Sequence, residues 1–285
     1  MGFEWEKIMS KSIFELINER WVLIAAHRGY SGGNIPCNSM GAFKAALNFD
    51  ADIVELDVNN SSDGELFIQH PGMEYVHLRM RDSINEYTQE VVSNFRLSNV
   101  DVVPTEYNIL RFEEALDFLK GKCYINVDKF WANPEKIAKI IRAKGMEDQV
   151  IIKVNYNEKE INDAEKYAPD IPLMTVVWKE DESLEIMKNR NIRFIGTECL
   201  FESEDDPIAS PEYIEKMHDN NKLLWVNAIV YYYKTLLCAG HTDDISVTED
   251  PENGWGWLCD RGFDIIQTDW LTECDMFLKK TNRRK

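Results

Sequence analysis

Basic residues are scarce in this chain: 32 lysines and arginines stand against 50 aspartates and glutamates, a net charge of -18. Nucleic acids and anionic membranes are held mainly by lysine and arginine on phosphates, so the balance argues against a general binder of either. Any anionic substrate must be small and met by local positive charge. Long apolar runs are also missing, since none approaches the ~20 residues a membrane span needs. Met1-Gly2-Phe3-Glu4-Trp5-Glu6-Lys7 lacks the basic-then-apolar order of a secretion signal. The expectation is a cytoplasmic protein without stable membrane anchoring. The cysteines Cys37, Cys123, Cys199, Cys238, Cys259 and Cys274 have no metal-finger spacing. They read as reduced, mostly buried thiols. Internal repeats and low-complexity segments are absent too, and nothing in the sequence speaks to oligomeric state.

What is present is an alternation. Trp21 to Ala26 is a short continuous apolar run ahead of a glycine-rich loop, the mark of a buried parallel strand. Met40, Phe43, Ala46 and Leu47 then share one helical face, with Asn38 or Ser39 as cap. Further strands are predicted at Ile53–Val58, Cys123–Asp128, Val150–Val154, Leu173–Val177, Arg193–Thr197, Leu223–Ala228 and Phe263–Gln267. Asn133-Pro134, Ser210-Pro211 and Asp250-Pro251 open helices between them, each placing proline where its missing N–H costs nothing. Eight strands alternating with helices predict one closed (β/α)8, or TIM, barrel over residues 1–285. Residues 59–110 break the alternation and read as an insertion after strand two; roughly 50 residues rarely build an independent core. Residues 229–249 read as a site wall or lid. A loosely helical spacing over 3–19 reads as a packing helix able to close one barrel end.

In a parallel barrel the working groups sit at the C-terminal strand ends. Strand one ends in His27-Arg28, strand two carries Glu55 and Asp57, strand three ends in Asp128-Lys129, strand four holds Lys153, strand six Glu198, and strand eight runs into Thr268-Asp269. Glu55 and Asp57 lie two apart, so both face one side of a strand while Val54, Leu56 and Val58 face the other. Two adjacent carboxylates repel, and a divalent cation reverses that cost. With Asp128 as third ligand, the all-oxygen set favours Mg²⁺ or Ca²⁺. Near neutral pH histidine serves as base or acid, and His27 with His70 is the pair expected to do so. Arg28 is expected to clamp a phosphate and Lys153 to add a second positive charge, with an ion pair to a carboxylate as the structural alternative for either. His77, His218 and His241 read as packing or surface residues. Tyr231 to Tyr233, Trp255 and Trp257 are candidates for an alcohol pocket, with ordinary packing as the alternative.

These residues resemble the glycerophosphodiester phosphodiesterase family. The likeness lies in His27-Arg28-Gly29, in Pro36-Cys37-Asn38-Ser39 against a Pro-Glu-Asn-Thr segment, and in Glu55-Leu56-Asp57-Val58. It continues through Asp63-Gly64, His70, Pro104-Thr105 before Glu113-Glu114-Ala115-Leu116, and Thr268-Asp269. The resemblance implies a barrel that hydrolyses a small glycerophosphodiester to glycerol 3-phosphate and an alcohol with Mg²⁺ or Ca²⁺, two histidines serving as acid and base. The chain departs from the pattern at Cys37, at Pro71 after His70, and at Asp128-Lys129, where the family reads Glu-x-Lys. In a regular strand that shift turns Lys129 to the opposite face, which makes Lys153 the expected phosphate ligand. Two rivals remain: a phospholipase C- or D-like enzyme on a lipid headgroup, and a barrel that only binds a phosphorylated ligand.

Overall fold

The computed structural model describes residues 11–285. Eleven strands follow one another: β1 (Leu23–Ala26), β2 (Ile53–Asn60), β3 (Leu66–Ile68), β4 (Arg96–Ser98), β5 (Pro104–Asn108), β6 (Tyr124–Asp128), β7 (Val150–Asn155), β8 (Leu173–Trp178), β9 (Phe194–Leu200), β10 (Leu223–Asn227) and β11 (Ile265–Thr268). All except β3, β4 and β5 pair in parallel, and β11 returns to β1 while β1 also pairs β2, which closes an eight-stranded barrel. Helices cover its outside, as the alternation predicted. The barrel strand ends lie within three residues of expectation, and several coincide with it.

Strand parity sorts the core. Val54, Leu56, Val58, Ile125, Val127, Ile152 and Val154 pack outward against the helices. Leu23, Ala25, Ile53, Tyr124, Ile151 and Trp225 fill the barrel interior. Helix α1 (Ile13–Arg20), capped by Ser12 and Glu15, adds Ile13 and Leu16 to that interior cluster and closes the N-terminal mouth. Residues 3–10 of the predicted helix lie outside the described residues. Because the interior is plugged at that end, the inward positions at the other end are left for polar groups: His27, Glu55, Asp57, Asp128, Lys153 and Glu198.

Glu198 reaches the interior through an irregularity. The register between β8 and β9 jumps from Leu173 opposite Phe194 to Met174 opposite Gly196. Such a bulge reverses which face later residues occupy, so Ile195 and Glu198, three apart, both point inward. A Cβ on Gly196 would lie 2.0 Å from the Leu223 carbonyl oxygen, so only glycine fits at the bulge.

The segment after β2 carries β3 antiparallel along β2, with Val58 opposite Ile68, and then the β4–β5 hairpin. Phe67, Leu78, Ile84, Val92, Leu97 and Ile109 form a small cluster of their own beneath it. Tyr107 leans on the start of α2 (Met40–Asn48), where a Cβ on Gly41 would meet the ring at 2.7 Å. Among the described residues no helix is long and apolar enough to cross a membrane.

Candidate active site

His27 continues β1, and its N–H donates to the Thr268 carbonyl at 3.2 Å, extending the ladder to β11 by one residue. Its Nδ1 meets Asp269 Oδ1 at 2.8 Å. Arg28 then turns into the left-handed region at φ 57°, which ends the strand and aims its N–H at Glu55 Oε2, 2.8 Å away. The Arg28 side chain turns to Asp57, Nε to Oδ2 at 2.9 Å. Gly29, at φ 78°, leaves only 2.8 Å between a notional Cβ and the Ala42 carbonyl carbon, so glycine is required there. The His-Arg-Gly run is thus a strand end, a reversal and a close approach.

Asp57 and Asp128 are register partners on β2 and β6. With Glu55 they offer oxygens that all lie within 4.8 Å of one another. Fully buried Asn38 donates from Nδ2 to Asp57 Oδ2 at 2.9 Å, and Asp57 Oδ1 is buried with no hydrogen-bond donor among the described residues. Burial first, and then the Asp57 and Asp128 charges, push the Glu55 carboxyl up to about 8 against the pull of His27 and Arg28. A cluster so crowded fits a divalent cation, and an all-oxygen donor set suits a hard one.

The lysines are arranged differently from expectation. Lys129 does not face away: it sits at φ 62°, so the strand stops at Asp128 and the side chain folds back into the site. Its Nζ lies 2.6 Å from Asp128 and 3.9 Å from Asp57. Regular-strand parity ends at Asp128, one residue before Lys129. Lys153 does point inward, but it takes up the structural alternative: its Nζ pairs with Glu198 at 2.6 Å and stands 3.3 Å from the Trp225 ring centre.

His70 follows β3, whose neighbour Gln69 donates its N–H to the Asp57 carbonyl at 3.0 Å. His70 Nδ1 meets the Pro71 carbonyl at 2.8 Å, so that nitrogen carries the proton and Nε2 the lone pair. Burial, with help from Arg28 and Lys129, holds this imidazole below its ordinary value against the pull of Asp57 and the Pro71 hydrogen bond. His27 moves the other way: burial alone would lower it, but the Asp269 carboxylate and its hydrogen bond, with Glu55, hold it above. Both rings lie within the field of Arg28.

A cavity of about 540 Å³ opens at this end, lined by His27, Arg28, Tyr30, Cys37, Asp269 and Trp270 among others. Cys37 Sγ lies 3.4 Å from His77 Nε2, and burial pushes the thiol up to about 12, a neutral group where the family has glutamate. Tyr231 stands edge-on to His27 at 6.4 Å, so the loop after β10 does wall the site. The same loop's His241 does not reach it; the ring stacks on Trp257 at 3.8 Å and bonds Glu204. Trp255 is 2% exposed and packs inside. Neither tryptophan lines the cavity.

Two groups stood in the sequence without an assigned part. Asp269 was visible only as part of a Thr-Asp pair, and its meeting with His27 spans nearly the whole chain. Asp243 sits in helix α10 (Asp243–Thr248), buried, accepting from Thr268 Oγ1 at 2.6 Å, Trp255 Nε1 at 2.7 Å and the Asp269 N–H at 2.8 Å. Burial pushes its carboxyl up to about 7 against those three donors.

A family model described as a domain of unknown function matches residues 173–278. Among curated proteins, the chain is 28% identical over 159 residues to a glycerophosphodiester phosphodiesterase of Caldanaerobacter subterraneus, covering 53% of this chain and 65% of that protein. It is 33% identical over 128 residues to one from Bacillus altitudinis, covering 45% of this chain and 50% of the relative. The chain thus spans less than two thirds of the length of these relatives. A crystal structure of a glycerophosphoryl diester phosphodiesterase from Parabacteroides distasonis superposes with TM-score 0.75 at 22% identity, covering 95% of this chain and 93% of that one. A phosphodiesterase from Oleispira antarctica in complex with the product sn-glycerol-3-phosphate superposes with TM-score 0.65 at 13% identity, covering 90% and 96%. The solved structures carry the fold. The curated relatives carry the family resemblance that the motifs had suggested.

Proposed function

We propose that this chain, a (β/α)8 barrel whose relatives are glycerophosphodiester phosphodiesterases, hydrolyses a small glycerophosphodiester to glycerol 3-phosphate and an alcohol. One observation carries the reading. His27, Arg28, Glu55, Asp57 and Asp128 converge at the C-terminal strand ends beside an open cavity, where a parallel barrel does its chemistry. Residues 1–285 are read as one barrel domain, with 59–110 an insertion in it. The charge of -18 favours a small substrate met by local cations over a nucleic acid.

Arg28 and Lys129 supply the positive charge for the phosphate, and Lys153 acts at one remove, through Glu198. His70, its Nδ1 proton held by Pro71, offers Nε2 as base to the hydroxyl beside the phosphate. That oxygen attacks phosphorus, the bond to the alcohol breaks, and His27, held by Asp269, gives its proton to the leaving oxygen. Water then opens the cyclic phosphate with the two roles exchanged. An attacking group already within the substrate gains effective concentration without a protein nucleophile. Glu55, Asp57 and Asp128 would hold Mg²⁺ or Ca²⁺, which when bound neutralises charge on the phosphoryl oxygens.

The test is a panel of glycerophosphocholine, glycerophosphoethanolamine, glycerophosphoinositol and glycerophosphoglycerol with each ion in turn, before and after EDTA. Release of glycerol 3-phosphate that EDTA abolishes supports the proposal. Binding without turnover would make the barrel a receptor, and turnover only on liposomes would make it a lipid-headgroup enzyme.

A further inference from the structure

We infer that Asp243 is a positioning residue for the reaction: it fixes the backbone of Asp269, whose carboxylate in turn orients His27. The inference rests on the acid-base reading of His27.

Asp243 joins three segments at one buried point. Its own N–H donates to the Ala228 carbonyl at 2.7 Å just past β10, its Oδ1 accepts from Thr268 and Trp255, and its Oδ2 accepts from the Asp269 N–H. At 2% exposed it is almost sealed from water, and all three side-chain partners are donors. The carboxylate form, with two accepting oxygens, satisfies every one of them. Among the described residues no lysine or arginine pairs with Asp243, so this buried carboxyl group is met by neutral donors alone. Burying an acidic group without a partner cation is costly, so the position needs what a neutral amide lacks, an accepting oxygen on each side.

The need is explained by the residue on the other side of the peptide. The Asp269 side chain is 52% exposed, so water and rotamer freedom would otherwise let it drift from His27. With its N–H held by Asp243 and Thr268 Oγ1 both donating to Asp243 and accepting from the Trp270 N–H at 2.9 Å, the turn after β11 is fixed on both sides of Asp269. Asparagine at 243 can place its oxygen toward Thr268 and Trp255, but its amide then faces the Asp269 N–H, donor against donor. The turn must move, and the His27 partner moves with it.

The experiment is a cycle on the full chain with glycerophosphocholine and Mg²⁺, comparing Asp243→Asn, His27→Ala and the double variant. Thr248→Ala serves as control, because Thr248 Oγ1 donates to the Asp244 carbonyl at 2.7 Å in the same helix and shares no partner with the Asp243 carboxyl group. Asp243→Asn is expected to lower kcat about tenfold or more with KM within about twofold, and to lower it no further when His27 is already alanine. The His27 ring N–H proton resonance should shift in Asp243→Asn and stay in place in Thr248→Ala. An equal kcat loss with and without His27, a loss matched by Thr248→Ala, or an unshifted ring proton overturns the inference. If His27→Ala alone keeps wild-type turnover, the acid-base reading fails first and the inference falls with it. Should Asp243→Asn not fold, Trp255→Phe removes the Nε1–H donor alone and leaves the carboxylate. A smaller kcat loss, again confined to the background with His27, is then expected, and no loss overturns the inference.

Discussion

Lys153 Nζ meets Glu198 Oε2 at 2.6 Å inside the barrel, bracketed by the Trp225 ring below and by Asn227, whose amide donates to the other Glu198 oxygen. The pair exists because the bulge at Gly196 brings Glu198 to the inner face. Removing one partner strands a buried charge. Lys153→Met is therefore expected to cost about 3 to 5 kcal/mol of stability, and Lys153→Met with Glu198→Gln clearly less. Urea unfolding of the two variants checks this, and equal losses would show that the pair is not coupled.

Regular strands make most of the candidate site legible in the sequence. Period-two alternation placed Glu55 and Asp57 on one face, and the barrel rule put His27 and Asp128 at the same rim. What escaped was each place where the chain leaves regularity. Lys129 depends on one left-handed residue, Glu198 on a bulge, and Asp269 and Asp243 on contacts between segments far apart in the chain. Propensity and periodicity are local, so they do not report such meetings. Trp257 shows the reverse: an aromatic candidate for the pocket stacks instead on His241, a residue whose packing role the sequence reading already favoured.

Glu55 makes the cation testable without turnover. With its carboxyl pushed up to about 8, it holds a proton at neutral pH for much of the time in the metal-free protein. A bound divalent cation requires the carboxylate and must expel that proton. Calorimetric titration with Mg²⁺ or Ca²⁺ at about pH 7, in buffers of different ionisation heats, should show net proton release. Glu55→Gln should bind more weakly and release none. Identical proton release in the variant removes Glu55 from the ligand set.

The two histidines should be separable from the fold. His27→Ala and His70→Ala are each expected to lower turnover by about 10² or more, the usual contribution of a positioned acid or base. Circular dichroism and thermal midpoints should stay near wild type, since neither ring belongs to a core cluster. Near wild-type rates in either variant would remove that residue from the reaction.

His218 gives the fold a pH dependence remote from the reaction. It lies in the last turn of helix α9 (Pro211–Asp219), and its Nε2 meets Asp264 Oδ2 at 3.1 Å. That hydrogen bond outweighs burial and raises the imidazole above its ordinary value. A helix C-terminus favours the cation as well. Because the folded value is raised, the stabilisation is fully present below about 6.5, the value of the unfolded chain, and fades as pH climbs through the folded value. The ring is 41% exposed at its side chain, so solvent screens the pair. A gain under about 1 kcal/mol is expected on that account. Asp264 keeps its bond from the Leu224 N–H at 2.7 Å in either case, so His218→Gln leaves no buried acceptor bare. The thermal midpoint of wild type should exceed that of His218→Gln by roughly 2 to 4 °C at most on the acid side, and the two should converge on the alkaline side. A gap that widens with rising pH would mean that the neutral ring is the stabilising form, contrary to the geometry of the pair.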